Sequence, residues 1–410
     1  MDKLTVRDIN VNRKRVLVRV DFNVPLDVKT GIISDDSRIR ASLPTINYLV
    51  DQGAKVILCS HLGRPDGNVV ESLRLAIVAR RLSQLIGKEV RFTYDCIGPD
   101  AEKAVESLKS GDILLLENLR FHAAEEKNEP DFARALASLA DIYIDDAFGT
   151  AHREHASIVG VTEYLPSIAG LLMEKELEHL GGIMEDPAHP FGGLIGGAKV
   201  SDKVEMLENL ISKMDLLLIG GGMAATFLKA KSYEIGLSTV EDDRLDTAAR
   251  LMEVAVKGGI RLLLPVDVVV ATEINAEAKS EVVPIENIPS QQRIVDIGRR
   301  TIEIFSKELR GARTIFWNGP MGINEIPQFA EGTKALAGLL AGLDATTVIG
   351  GGSTAEVVTG MGLAEKMTFI STGGGASLEF LGGRKLPGVE ALLDKDSPEA
   401  SKLKWSGEYV

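Results

Sequence analysis

Short apolar runs alternate with stretches of helical period along this chain, beginning close to its start. VLVRVDF, KVILCS, DILLLEN and DIYIDDAF are β-branched or leucine-rich, and between them lie helical patterns such as ESLRLAIVARRLSQLIG and PDFARALASLA. Near-continuous apolar strands separated by helices predict a parallel sheet covered on both faces. The second half repeats the alternation. DLLLIG, RLLLPVDVVVA, TIFWNG, TTVIG and MTFIS read as strands, and DRLDTAARLMEVAVKGG and QQRIVDIGRRTIEIFSKELRG read as helices. Between the halves, IAGLLMEKELEHLGGIM has helical period, and DPAHP after it carries two prolines that cannot continue a helix. The expected architecture is α/β: two doubly wound, Rossmann-like parallel-sheet domains joined by a long helix and hinge. The expected boundaries are residues 1–167, 168–185 and 186–387, with a tail, 388–410, packing back on the first domain.

The totals agree with that division. A chain of 410 residues is long for one core, and 45% hydrophobic with 26% charged residues is ordinary for a globular protein. A formal net charge of −13 argues against general nucleic-acid affinity, so any basic cluster needs a local reason. The two cysteines, Cys59 and Cys96, show neither metal spacing nor a disulfide framework. The start, MDKLTVRDIN, has no signal-peptide pattern, and the longest apolar run, from Leu216, is short of a membrane span and broken by glycines. A cytoplasmic enzyme or binding protein without a membrane partner is the expectation.

Ligands of such sheets bind beyond the carboxyl ends of the strands, and there the first half keeps its polar residues. Asp21, Asn23 and Pro25 follow the first strand, and Arg38 opens the next helix. His61 and Arg64 follow the second strand, Arg120 the next, and Gly149, His152, Arg153 and His155 the last. Repeated delivery of a cation at successive strand ends points to a small anion carrying phosphate or carboxylate, held by guanidinium groups. His152 and His155 form H-x-x-H, a metal pair if helical. With no third ligand of suitable type evident, a hydrogen-bonded loop pair is the simpler reading.

The second half is organised around FGGLIGGAKVSDK, residues 191–203: an apolar strand, a glycine turn, and Ser201 or Asp202 opening a helix. Lys199 and Lys203 share a helix face if that helix begins early enough. Open backbone, helix-start N–H groups and two ammonium groups suit a polyphosphate, although a plain turn with surface lysines would look the same. No Walker pattern occurs. Three glycine triplets, at 220–222, 350–352 and 373–375, each follow a strand and precede a helix. Two of them also fit G-x-G-x-x-A, with Glu241 to Asp243 about twenty residues beyond the first, so a Rossmann dehydrogenase is a rival. Against it, that fingerprint should occur once and early. A non-catalytic nucleotide-binding or assembly protein is another rival, one that would not need the cationic rim of the first half.

RVDFNVP, SRIR, SHLGRP, LENLRF, DAFGTAHR, GGAKVSDK, GGGMA, WNGPMG and STGGGASLEFL occur in this order over almost the whole chain. Together they resemble the phosphoglycerate kinase family. The resemblance implies reversible phosphoryl transfer between 1,3-bisphosphoglycerate and ADP, giving 3-phosphoglycerate and ATP, by a monomer or homodimer. It implies a substrate patch of Asp21, Asn23, Arg38, His61, Arg64, Arg120 and Arg153, with Arg38 and Lys199 stabilising the transferring group. Lys203 matches the lysine on the nucleotide phosphates. Gly220, Gly221 and Gly222 match the wall near the adenine, and Asn318 and Pro320 the loop beside the nucleotide. Glu325 matches the ribose-binding carboxylate, and Gly351, Gly352 and Thr354 the loop and helix start under the phosphates. Gly197, Gly350 and Ser353 complete the expected nucleotide site. The family usually has an aspartate serving the metal where this chain has Ser353, and Mg2+ is expected with the nucleotide, through water or another carboxylate. Asn324 stands where the family commonly has an aromatic residue. The tail extends past the family's usual end, with Trp405 and Tyr409 as expected anchors.

Overall fold

A computed structural model of the chain describes residues 2–27 and 29–403; Trp405 and Tyr409 lie outside the described residues. The chain divides into two compact units, residues 1–178 with 385–410, and residues 179–384. The division falls inside the helix Leu171–Glu185.

The first unit is built on six parallel strands: β1 (Arg15–Arg19), β2 (Lys55–Cys59), β3 (Val90–Phe92), β4 (Ile113–Leu115), β5 (Ile142–Asp145) and β6 (Ser167–Ala169). Their order is β3-β4-β2-β1-β5-β6. Registers pair Leu17 with Ile57 and Tyr143, and Ile57 with Leu114, so these side chains line one face of the sheet. Val16, Val18, Val56, Leu58, Ile113, Leu115 and Ile144 line the other, and both sets are fully buried. A strand whose two faces are both covered reads as a continuous apolar run, which is why these strands were legible. Residues from the end of the chain join this unit. Leu4 N–H donates to the Leu393 carbonyl at 2.8 Å, Gly388 N–H to Ala151 at 2.8 Å, and Lys3 pairs with Asp394 at 2.8 Å.

The second unit holds β7 (Phe191–Ile195), β8 (Leu216–Ile219), β9 (Arg261–Leu263), β10 (Asp267–Ala271), β11 (Ser280–Pro284), β12 (Arg293–Ile297), β13 (Thr314–Asn318), β14 (Thr346–Gly350) and β15 (Phe369–Ile370). Six form a parallel sheet in the order β15-β14-β13-β7-β8-β9, and three form a separate antiparallel sheet, β11-β10-β12. Two sequence expectations change here. RLLLPVDVVVA is not one strand: Pro265 has no N–H for a ladder, and the run breaks into β9 of the large sheet and β10 of the small one. The first part of QQRIVDIGRRTIEIFSKELRG is β12, not helix. The helix starts only after Gly298, at Arg299–Leu309.

Candidate active site

In the first unit the chemistry collects at the carboxyl ends of β1, β2, β4 and β5. Arg38, in the first turn of the helix Ser37–Asp51, donates through Nη1 to the Asp21 carboxylate. Asn23 Oδ1 accepts from Gly63 N–H at 2.9 Å, which ties the loop after β1 to the loop after β2. Arg120 occupies the short turn Leu119–Phe121, is buried, and donates through Nη1 to the Gly63 carbonyl at 2.8 Å. Arg64 is exposed beside it and Arg153 is half-buried.

His61, buried at the end of β2, shows that these residues converge. Its imidazole is held well below the ordinary range, first by burial and then by the positive charges of Arg19, Arg120, Arg38 and Arg153. Four guanidiniums therefore act on one ring. Arg19 Nη2 faces His61 Nδ1 at 3.2 Å. Arginine has no acceptor, so Nδ1 is the lone-pair nitrogen, and neutral His61 carries its proton on Nε2.

Arg19 was not among the expected site residues. It is 1% exposed, donates from Nε to Ser157 Oγ at 2.9 Å, and is fixed by its own neighbour's carbonyl, Val20 O, at 2.5 Å. Ser157 in turn donates Oγ–H and N–H to the buried Glu125 carboxylate, at 2.5 and 2.9 Å. Burial raises the Glu125 pKa while Arg19 and Ser157 oppose the rise. The signal was present: a charged residue in the middle of an apolar strand needs a buried partner. His155, also drawn into this group, is pushed down to about 4 by burial and by Arg120, Arg19 and Arg153. His152 lies in a turn and His155 in irregular chain, so the helical spacing an H-x-x-H metal pair requires does not arise.

In the second unit a cleft of about 420 Å³ opens beyond the ends of β7, β8, β13 and β14. Gly197, Lys199, Gly221, Gly222, Pro320, Glu325 and Ser353 line it, all of them expected from the sequence. Lys199 and Lys203 do not share a helix face. The helix begins only at Val204, so Lys199 lies exposed in the preceding turn and Lys203 is the buried residue that caps the start. Burial lowers the Lys203 pKa, and its Nζ lies beside Gly197.

Other expected residues build the walls. Gly221 has φ +65°, and a Cβ there would fall 2.5 Å from Gly197 N, so two glycine loops pack backbone to backbone. Gly220 packs against Met321. Thr354 is fully buried and its Oγ1 accepts from Gly319 N–H at 2.9 Å, bracing the loop after β13. The Asn318 amide nitrogen is buried without a hydrogen-bond partner, next to Gly350 and Gly351. Gly352 and Ser353 are exposed at the start of the helix Gly352–Gly360. Glu241, the acidic residue in the dehydrogenase reading, accepts from Val200 N–H at 2.5 Å and from the Ser201 hydroxyl. It is committed to holding the lysine loop.

The family model described as Phosphoglycerate kinase matches residues 6–384. The chain belongs to the phosphoglycerate kinase family. The phosphoglycerate kinase of Moorella thermoacetica is 55% identical over 395 residues, covering 96% of this chain and 100% of that protein. That of Pelotomaculum thermopropionicum has the same identity and coverage. Among solved structures, the phosphoglycerate kinase of Coxiella burnetii superposes with a TM-score of 0.84 at 40% identity, covering 98% of this chain and 100% of that one. The enzyme from Pyrococcus horikoshii gives 0.84 at 35% identity, covering 95% and 98%. The chain is thus a kinase that transfers phosphate to and from a carboxyl group, and both dehydrogenase and non-catalytic readings fall. No helix among the described residues is long and apolar enough to cross a membrane.

The donor set of the cleft does not fit a protein-held Mg2+ at the helix start, where Ser353 offers only a hydroxyl. Two carboxylates line the cleft, Asp296 and Glu325. Asp296, which the sequence reading missed, accepts from Ile297 N–H and Gly332 N–H, both at 2.8 Å, one on each oxygen. Burial pushes its carboxyl up to about 7, which suits a group that fixes a loop rather than one that binds a cation. Glu325 is exposed.

Proposed function

We propose that this chain catalyses the reversible transfer of the acyl phosphate of 1,3-bisphosphoglycerate to ADP, with Mg2+ arriving as part of the nucleotide substrate. The phosphoglycerate lies on the rim formed by Asp21, Asn23, Arg38, His61, Arg64, Arg120 and Arg153. The nucleotide lies in the cleft of the second unit, its phosphates towards Lys199, Lys203 and the backbone at Gly352, and its ribose towards Glu325. A β-phosphate oxygen of ADP attacks the phosphorus, the bond to the acyl oxygen breaks, and the carboxylate leaves. An acyl phosphate is already activated, so no covalent nucleophile or general base is needed; positioning and charge stabilisation do the work. Arg38 of one unit and Lys199 of the other meet the equatorial oxygens when hinge closure brings the substrates together and excludes water. The observation that carries this reading is the polar cluster at one strand-end rim: Arg38 on Asp21, Arg120 on the Gly63 loop that Asn23 also holds, and Arg19 on His61.

His61 contributes as a neutral donor. With Nδ1 occupied by Arg19, its Nε2–H is the hydrogen available to an anion. The test is ADP formation from 3-phosphoglycerate and MgATP, followed in a coupled assay with Arg38→Ala and Lys199→Ala alongside. Loss of an electrostatic stabiliser should cost about 3–4 kcal/mol of barrier, a hundredfold to a thousandfold in kcat. Unchanged kcat in either variant would remove that residue from the transferring group.

A further inference from the structure

We propose that Asp95, Cys96 and His122 form a second, independent site in the first unit, one for zinc. The donor atoms of these three side chains lie within 4.8 Å of one another. Asp95 and Cys96 follow β3, and His122 follows the turn after β4; β3 and β4 are neighbours in the sheet, so one sheet edge brings both loops together. Sequence spacing could not show this, because Cys96 and His122 are far apart along the chain and neither belongs to a metal motif.

The loop is already shaped. Thr93 Oγ1 donates to the Asp95 carbonyl at 2.7 Å, and Cys96 N–H donates to Asp95 Oδ1 at 2.7 Å. His122 Nε2 sits 2.7 Å from the same Oδ1, and its ring packs on Phe132 at 5.3 Å. Around zinc, sulfur, nitrogen and oxygen ligands stand about 2.0–2.3 Å from the metal, which puts tetrahedral ligands roughly 3.3–3.8 Å apart. Small side-chain rotations that open the histidine–aspartate contact and draw in the sulfur reach that spacing. Asp95 and His122 are partly exposed while Cys96 is buried, so a metal has three protein ligands and a water on the open side. Thiolate with imidazole selects zinc over magnesium, a hard cation that avoids sulfur. On binding, the S–H bond breaks, the Zn–S bond forms, and one proton leaves to solvent, so affinity rises with pH.

The test uses the full chain stripped with a chelator and titrated with Zn2+ against a chromophoric competitor, and with Co2+ as a spectroscopic probe. The expected result is one equivalent bound with Kd at or below about 1 μM, and a thiolate-to-cobalt charge-transfer band. Cys96→Ser should abolish the band and weaken zinc at least a hundredfold, whereas Cys59→Ser leaves both unchanged. His122→Gln, at a half-exposed position that tolerates substitution, should weaken zinc at least tenfold and carries the test if Cys96→Ser fails to fold. Absence of one-to-one binding tighter than about 10 μM, a band that survives Cys96→Ser, or a band lost in Cys59→Ser would each overturn the site.

Discussion

Gly352→Ala separates a glycine kept for its ligand from one kept for packing. Gly352 is the exposed first residue of the helix Gly352–Gly360, and a Cβ built there meets no atom within 4 Å. Its backbone is not left-handed, so alanine fits without strain, and in a helix it is favoured over glycine by up to about 1 kcal/mol. The free protein should therefore lose no stability. If a nucleotide phosphate rests against this bare backbone, the added methyl stands where a phosphate oxygen should be. Losing that contact at about 1.4–2.7 kcal/mol raises the KM for MgATP tenfold to a hundredfold. Gly221→Ala is the contrasting control. Its φ of +65° and backbone atoms at 2.5 and 2.6 Å from a Cβ leave nothing flexible to give way, so urea unfolding of that variant should shift to clearly lower concentration. The measurements are KM and kcat from the coupled assay and the urea midpoint of each protein. A KM for MgATP within twofold of the parent in Gly352→Ala would refute phosphate contact at this position.

Two further outcomes follow from the buried charges of the first and second units. Arg19→Met should destabilise the chain by about 3–5 kcal/mol, because it removes the buried cation that reaches the Glu125 carboxylate through Ser157; a loss under about 1 kcal/mol in urea unfolding would refute that coupling. Stability should also fall as pH rises from 6.5 to 8. Burial raises Asp146 and Asp296 to about 7, so the native state holds protons that the unfolded chain has released, and that stabilisation is lost as pH passes the folded value. For each of these two groups the linkage over this window comes to roughly 0.8 kcal/mol, about 1.6 together. His61 and His155, shifted down, oppose this: the unfolded imidazole, with a pKa of about 6.5, still holds protons in the lower part of the window that the native ring does not, which returns about 0.4 kcal/mol each and leaves a net fall of about 0.8 kcal/mol. Asp146→Asn keeps the Oδ1 acceptor for Leu172 N–H at 2.8 Å and should remove most of the net fall; an unchanged slope would show that Asp146 does not titrate there.

Burial on both faces separates the most legible strands from one that was misread. β1, β2, β4 and β5 have both faces buried, so apolarity alone marked them, whereas RIVDI of β12 has two half-buried positions at its start and passed for the front of a helix. Pro265 and Asp267 carried the missing information in RLLLPVDVVVA. Asp267 accepts from Thr301 N–H at 2.8 Å and from the Thr301 hydroxyl at 2.6 Å, and so fixes the start of the helix Arg299–Leu309. The same distinction runs through the site. Exposed or rim residues such as Arg38, Arg64 and Lys199 could be named from the sequence because each follows an apolar strand run, and the structure places them beyond the strand ends. Arg19, Glu125, Asp296 and Glu241 were not, because their partners lie far off in sequence and only the fold introduces them: Ser157 for Glu125, Gly332 for Asp296, Val200 for Glu241. A charge inside an apolar run is therefore better evidence than its neighbours. Burial without a partner costs several kcal/mol, so its presence there implies a second polar residue that the chain must bring to it. At β1 the residues brought to Arg19 are Ser157 and His61, and the arginine hidden in the strand is what fixes the proton of the histidine on the rim.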